Sequence, residues 1–205
     1  MTLPTVRILL AEDQAMVRGA LAALLSLEDD LEIVAELARG DEVVATASSI
    51  RPDVALLDIE MPGQDGLSVT RELTAALPAC KVIILTTFGR AGYLRRAMEN
   101  GAVGFLLKDA PATELARAIR RVMAGERVVD PNLALTALSE GNNPLTDRER
   151  DVLAASKTGA TIAEIANDLF LSQGTVRNHL SSAIQKLNVQ NRIEAARVAD
   201  EKGWL

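Results

Sequence analysis

A carboxylate ends an apolar run in the segment DVALLDIEMPGQDG, residues 53–66. Asp58 follows four consecutive apolar residues and precedes a turn that contains Pro and Gly and two more acids, Glu60 and Asp65. A carboxylate adds nothing to the packing of a buried strand, and its burial costs free energy. Asp58 is therefore either a solvated residue at the end of a strand or a reactive group that the strand positions.

Polar side chains also follow three other apolar runs of the chain. They are Glu12 and Asp13 after VRILLA (6–11), Thr86 after VIIL (82–85), and Lys108 after GFLL (104–107). Each residue alone has a simple interpretation, because a lone Asp often forms a turn, Thr is common in strands and a single Lys is usually solvated. Polar groups at four strand ends instead predict one shared site.

The chemistry of this set is that of phosphoryl transfer. Clustered carboxylates raise one another's pKa unless a cation compensates them. Carboxylate oxygens suit Mg²⁺, and the backbone carbonyl of Glu60 is a further candidate ligand. Asp58 can then act as a nucleophile toward a phosphoryl group and form an aspartyl phosphate. The Lys108 ammonium and the Thr86 hydroxyl would stabilise the phosphoryl oxygens.

Five apolar runs, the four above and EIVAEL (32–37), must position these side chains. None alternates cleanly between apolar and polar residues, which is typical of strands that are buried on both faces of a parallel sheet. Helical patterns separate the runs. The sequence therefore predicts an α/β, doubly wound, flavodoxin-like sheet of five parallel strands in the order 2-1-3-4-5. That order makes strands one and three neighbours and brings Asp13 beside Asp58.

The chain has 205 residues, which is enough for two domains. We predict a first domain at 1–125, a linker at 126–142 and an all-α domain of four helices at 143–205. Within the linker, Asp130 and Pro131 predict the start of a short helix. The caps predicted for the helical domain are Thr146 with Glu149 as a capping box, Ser172 and Asn191.

The segment TIAEIANDLFLSQGTVRNHLSSAIQKL, residues 161–187, has the pattern of two helices joined by a tight turn. All six excess acids of the chain lie in residues 1–141, and the stretch from Leu169 to Ile193 contains bases but no acid. The outward face of the second helix can therefore enter the major groove of DNA. A helical protein-binding module with a solvated face is the alternative that this composition leaves open.

Composition also bears on the location of the protein. No apolar run approaches the roughly 20 residues that cross a bilayer, so we expect no membrane insertion. The first residues lack the features of a secretory signal, and the single cysteine, Cys80, cannot form an internal disulfide. These features predict a cytoplasmic protein.

Residues 5–125 resemble the receiver domain of bacterial response regulators in four motifs: AEDQ (11–14), LLDIEMPGQDGL (56–67), ILTTF (84–88) and GFLLKD (104–109). This resemblance implies that Asp58 is the phosphoacceptor and that Glu12 and Asp13 hold Mg²⁺. It also implies that Thr86 is the switch hydroxyl, Lys108 the phosphate-pairing lysine and Phe105 the aromatic switch residue.

Residues 143–205 are similar to the helix-turn-helix of the LuxR/NarL type through NPLTDRERDVL, EIANDLFLSQGTVRNHLSSAIQKL and NRIEAARV. This similarity implies that Lys186 contacts a phosphate and that the last helix dimerises. It also implies that the groove-facing residues are Thr175, Arg177, Asn178 and Ser181. The whole chain resembles a NarL/FixJ-class response regulator, with a DesR-like receiver and tail. The implied partners are a cognate sensor histidine kinase, double-stranded DNA and a second copy of the chain.

Two positions depart from the pattern of many receivers. Thr87 follows the switch threonine where Ala or Gly is common, and Asp109 follows the lysine where a proline is common.

Two other functions are alternatives to that of a DNA-binding response regulator. A haloacid-dehalogenase-type phosphatase uses similar residues, but its nucleophile ends the first strand rather than the third. A phosphorylation-dependent switch whose helices bind a protein is the other rival, and DNA binding distinguishes it.

Overall fold

The computed structural model describes residues 5–87, 89–109, 111–139, 143–157 and 159–205. The end of the predicted linker, residues 140–142, lies outside these ranges. The described chain forms two compact units, of which the first contains the sheet and the second contains the helices from residue 147 onward. Within the described ranges, none of the helices has the length and apolar character needed to cross a membrane.

The first unit contains a parallel sheet with six strands among the described residues. They are β1 (Val6–Ala11), β2 (Leu31–Leu37), β3 (Val54–Asp58), β4 (Lys81–Thr86), β5 (Gly104–Leu107) and β6 (Val128–Val129), in the order β2-β1-β3-β4-β5-β6. The flavodoxin-like order of the first five strands is confirmed. The prediction of only five strands is wrong, because β6 joins the edge of the sheet beside Gly104 and Phe105. A two-residue strand has no periodicity that a sequence could display.

Helices lie between the strands of the first unit. They are α1 (Ala15–Leu25), α2 (Val43–Ile50), α3 (Gly66–Ala76), α4 (Ala91–Glu99) and α5 (Ala112–Met123), with a short 3₁₀ helix at Gly40–Glu42 and α6 (Pro131–Ser139) after β6. All residues of β3 are buried, as expected for a central strand of a parallel sheet. The predicted start of α6 is confirmed, since the Leu133 amide donates to Asp130 Oδ1 at 2.9 Å.

The turn after β3 is built by Asp65 and Gly66. Asp65 Oδ1 accepts hydrogen bonds from the amides of Leu67 and Ser68, both at 3.0 Å, so this acid caps α3 and is not merely a solvated loop residue. A Cβ on Gly66 would lie 1.9 Å from the carbonyl oxygen of Asp58. Glycine therefore allows α3 to begin directly against the strand end that carries Asp58.

From residue 147 onward, the second unit contains four helices among the described residues: α7 (Asp147–Ser156), α8 (Ile162–Asp168), α9 (Gln173–Leu187) and α10 (Arg192–Glu201). The predicted caps at Thr146, Ser172 and Asn191 are confirmed. A second capping box, Thr161 with Glu164, was not predicted although its T-x-x-E spacing is visible in the sequence. The core of this unit comprises apolar side chains from all four helices and Trp204.

Candidate functional site

The polar residues that follow the strands meet at one edge of the sheet. Glu12 follows β1, Asp58 ends β3, and these two strands pair directly with Ala11 opposite Leu57. Glu12, Asp13 and Asp58 each offer a carboxylate oxygen, and these oxygens lie within 4.8 Å of one another. The carboxyl ends of neighbouring parallel strands thus form an acidic cluster at the position where doubly wound sheets bind ligands.

Lys108 lies between two of the three carboxylates. Its ammonium nitrogen is 2.5 Å from Glu12 Oε2 and 3.0 Å from Asp58 Oδ2. The side chains of Lys108, Glu12 and Asp58 are only 7%, 1% and 6% exposed. One ammonium therefore neutralises only one of two buried carboxylates, and Asp13 adds a further negative charge at the surface. Such a site favours an additional cation.

The pKa values of these groups follow from burial and from their mutual contacts. Burial raises the pKa of Asp58 and of Glu12, and the hydrogen bond from Lys108 opposes that shift in each. Burial would lower the pKa of Lys108, but the hydrogen bonds and charges of the two carboxylates outweigh it, and the pKa is raised. The two carboxylates therefore favour the charged form of Lys108 in this site.

Backbone contacts fix the orientation of the acids. Asp58 Oδ1 accepts a hydrogen bond from the Ile59 amide at 2.8 Å, which leaves Oδ2 facing Lys108. Arg18 in α1 donates to the carbonyl oxygen of Glu12 at 2.6 Å and so holds the turn between β1 and α1. No motif in the sequence distinguishes Arg18 from other helix-surface arginines, so its contact with Glu12 could not be predicted.

The other predicted residues of this site lie around the cluster. Thr86 ends β4, between β3 and β5, and is 1% exposed. Phe105 is fully buried in β5 opposite Ile84. Glu60 and Thr87 are exposed, and a ligand role for the Glu60 carbonyl stays a prediction. The peptide bond between Lys108 and Asp109 is trans, as are the other described peptide bonds.

The second candidate site is the exposed face of α9. Ser172 caps this helix by accepting a hydrogen bond from the Thr175 amide at 3.0 Å. Val176, Leu180 and Ala183 are buried in the core of the unit. The opposite face carries the residues predicted to contact DNA, with Thr175 half-buried and Arg177, Asn178 and Ser181 exposed.

Lys186 differs from the other predicted DNA-contacting residues, because it has a partner within its own unit. Its ammonium lies 2.7 Å from Oε2 of the buried Glu149 in α7. Ser182 donates to the other oxygen of Glu149 at 2.6 Å. The capping glutamate of α7 therefore also fixes α9, and a phosphate contact by Lys186 stays a prediction.

Comparison with known proteins divides the chain into the same two domains, a receiver and a DNA-binding domain. Residues 8–120 match the model of the response regulator receiver domain, and residues 143–199 match that of the bacterial regulatory proteins of the luxR family. Among curated relatives, the transcriptional regulatory protein DesR of Bacillus subtilis is 49% identical over 97% of this chain and 98% of its own length. The transcriptional regulatory protein YvfU of the same organism is 47% identical over 98% of this chain and 100% of its own. Among solved structures, this chain resembles the crystal structure of the response regulator ChrA of a heme-sensing two-component system. The TM-score is 0.58 and the sequence identity 34%, and the match covers 99% of this chain and 100% of the ChrA chain.

Proposed function

Because this chain belongs to the two-component response regulators with a LuxR-type DNA-binding domain, we propose that a sensor histidine kinase phosphorylates Asp58. We propose further that the phosphorylated protein binds duplex DNA as a homodimer in the cytoplasm. The domain limits that we propose are 1–125 and 143–205, joined by a linker at 126–142 whose strand β6 pairs with the edge of the first domain's sheet. The observation that carries the proposal is the convergence of Glu12, Asp58 and Lys108 in a buried, net-negative cluster at one sheet edge.

In the proposed reaction, a carboxylate oxygen of Asp58 attacks the phosphorus of a phosphohistidine. A P–O bond to Asp58 forms while the P–N bond breaks, and the electron pair of that bond returns to the imidazole of the kinase. Lys108, already 3.0 Å from Asp58 Oδ2, supplies a fixed positive charge where charge develops on the phosphoryl oxygens. The hydroxyl of Thr86 would donate a hydrogen bond to one of these oxygens.

The donor set of the cluster fits Mg²⁺. Three carboxylates, from Glu12, Asp13 and Asp58, offer hard oxygen ligands that lie within 4.8 Å of one another. When bound, the metal ion would neutralise charge on the carboxylates and on the phosphoryl oxygens. Lys108 already compensates part of the negative charge of these carboxylates, since it contacts two of the three residues.

A Lys108→Ala variant is expected to bind Mg²⁺ about tenfold more tightly, because it removes a cation that competes for the same carboxylates. Isothermal titration calorimetry with MgCl₂ measures this affinity. Lys81→Ala is the matched control, since Lys81 begins β4 at the opposite end of the strand from the acidic cluster. An unchanged or weaker Mg²⁺ affinity in Lys108→Ala would show that the metal does not share the carboxylates with this lysine.

Phosphorylation replaces the −1 carboxylate of Asp58 with an acyl phosphate of about −2 charge beside Lys108 and so alters the surface that this lysine borders. An apolar hollow of about 300 Å³ lies there, with Leu107, Lys108 and Leu115 in its lining. Met16 and Leu24, also in the lining, are 88% and 44% exposed. Their exposure supports a homodimer in which a second copy covers this face of the phosphorylated receiver.

We therefore expect Met16→Glu to remain monomeric after phosphorylation, because burying a carboxylate in an apolar interface costs several kcal/mol. Sedimentation velocity of the phosphorylated protein measures the change. Phosphorylation level, measured on the same samples, is the control, since Met16 lies outside the acidic cluster. Normal dimerisation of the phosphorylated variant would place the dimer contact elsewhere.

DNA binding is proposed to use the exposed face of α9. Arg177→Ala is expected to weaken binding to a selected operator about tenfold, since a good arginine–base contact contributes roughly 1–3 kcal/mol. Electrophoretic mobility shifts measure the change. Arg148→Ala in α7 also removes an exposed positive charge, but one outside α9, and this variant should bind normally. If both variants bind like the wild type, α9 is not the recognition helix.

A further inference from the structure

Phe170 is the most exposed of the large apolar residues that the structure describes. It lies in the turn between α8 and α9, and 95% of its surface is exposed. Its backbone is in the left-handed region, with φ at +55°. Both properties are unfavourable for a phenylalanine: its ring is in water, and its backbone has a conformation that favours glycine.

The hydrogen bonds of this turn do not require a side chain at position 170. The Phe170 amide donates to the carbonyl of Asn167 at 3.3 Å, and the Leu171 amide donates to that of Ala166 at 2.8 Å. These bonds end α8 in the manner that usually selects glycine at the left-handed position. Glycine would make the same bonds without strain, so the phenyl ring does not stabilise the turn.

The backbone of Phe170 is nevertheless anchored on both sides. Leu169 and Leu171 on either side pack against the core of the unit. Ser172, the next residue, caps α9, whose first turn is exposed. Because its neighbours are anchored, Phe170 projects from this turn at a defined point, two residues before Ser172, the N-cap of α9.

We propose that Phe170 contacts DNA, its ring packing against the sugar–phosphate backbone at the rim of the major groove when α9 enters it. This inference rests on the DNA binding proposed above. The first residues of α9 after this turn are exposed, and no acid occurs between Leu169 and Ile193 to repel phosphates. The exposed Asp168, at the end of α8, is the nearest acid in the sequence. A contact with deoxyribose carries no sequence information, so Phe170 contributes affinity to every duplex alike.

The test compares Phe170→Gly and Phe170→Asn with the wild type in the full-length, phosphorylated protein. Both substitutions remove the ring and suit the left-handed backbone. The probes are a duplex selected by the wild type from randomised DNA and a shuffled duplex of the same composition, with binding read by fluorescence anisotropy. We expect about tenfold weaker binding to both duplexes, the effect of losing burial of roughly half a phenylalanine side chain. The melting temperature should not fall.

Asn188→Gly is the matched control, because Asn188 is also left-handed, with φ at +54°, but lies at the other end of α9. It should bind both duplexes like the wild type.

Wild-type affinity of Phe170→Gly and Phe170→Asn for both duplexes would overturn the proposed DNA contact. If these variants then failed to activate transcription, the phenyl ring would contact a protein instead of DNA. If the wild type binds neither duplex, the proposed DNA binding fails and this contact fails with it. If Phe170→Gly loses stability, the affinity of Phe170→Asn decides.

Discussion

An Asp58→Asn variant is expected to accept no phosphoryl group, either from a histidine kinase or from a small donor such as acetyl phosphate. Asparagine has nearly the same shape as aspartate, but its amide is not a nucleophile. The variant also lacks one of the three carboxylates that are proposed to hold Mg²⁺. Intact-protein mass spectrometry after incubation with the donor measures the loss, and operator binding should no longer respond to the donor.

The control for this experiment is Asp65→Asn. Asp65 lies seven residues later, in the same acidic turn, but its carboxylate caps α3. Asparagine is an equally good cap, so this variant should be phosphorylated normally. Normal phosphorylation of Asp58→Asn would remove Asp58 from its proposed role. Turnover of phosphomonoesters by the wild type would instead favour the phosphatase alternative.

Glu149→Gln is expected to destabilise the C-terminal unit by about 2 kcal/mol. Burial would raise the pKa of Glu149, but hydrogen bonds from Lys186, Ser182 and Thr146 lower it to about 2 from its ordinary value of 4.5. A shift of one pKa unit corresponds to about 1.4 kcal/mol of stability. We expect less than the full shift implies, because the Lys186 side chain is 34% exposed and water screens its charge. Thermal unfolding of the C-terminal unit within the full chain measures the change.

The lowered pKa of Glu149 also fixes the sign of the pH dependence. A carboxyl group with a depressed pKa in the folded state stabilises fully above its unfolded value, here 4.5, and this stabilisation is lost as the pH falls through about 2. The wild type should therefore lose this part of its stability as the pH falls from about 4.5 to about 2, and Glu149→Gln should not show this loss. The matched control is Glu164→Gln in the second capping box, since Glu164 caps α8. A loss of stability in Glu164→Gln equal to that in Glu149→Gln would show that the contacts with α9 contribute nothing.

Much of the proposed phosphorylation site could be predicted because its residues follow strands. Apolar runs mark the strands, and the rules of doubly wound sheets place their carboxyl ends together, so the proximity of Glu12, Asp13 and Asp58 follows from the topology. The caps at Ser172 and Asn191 were also predictable, because a cap depends on residues within one helical turn. Predictions succeeded where a local pattern or a general rule of sheet topology decides the outcome.

Several features that the sequence did not reveal depend on how neighbouring elements pack against one another. Lys186 meets Glu149, which lies 37 positions earlier. The need for glycine at position 66 arises from the approach of α3 to the carbonyl of Asp58. The contact of Arg18 with the Glu12 carbonyl depends on how α1 packs beside β1. None of these contacts leaves a periodic or spacing signal in the chain.

Chemical mapping of the phosphorylated residue tests the central claim most directly. Borohydride reduces an aspartyl phosphate to homoserine, and peptide mass spectrometry then identifies the residue that carried the phosphoryl group. After incubation with Mg²⁺ and a phosphoryl donor, we expect homoserine at position 58 and unmodified aspartate at positions 13 and 65. Homoserine at either of those positions, or a phosphorylated protein without homoserine, would contradict it.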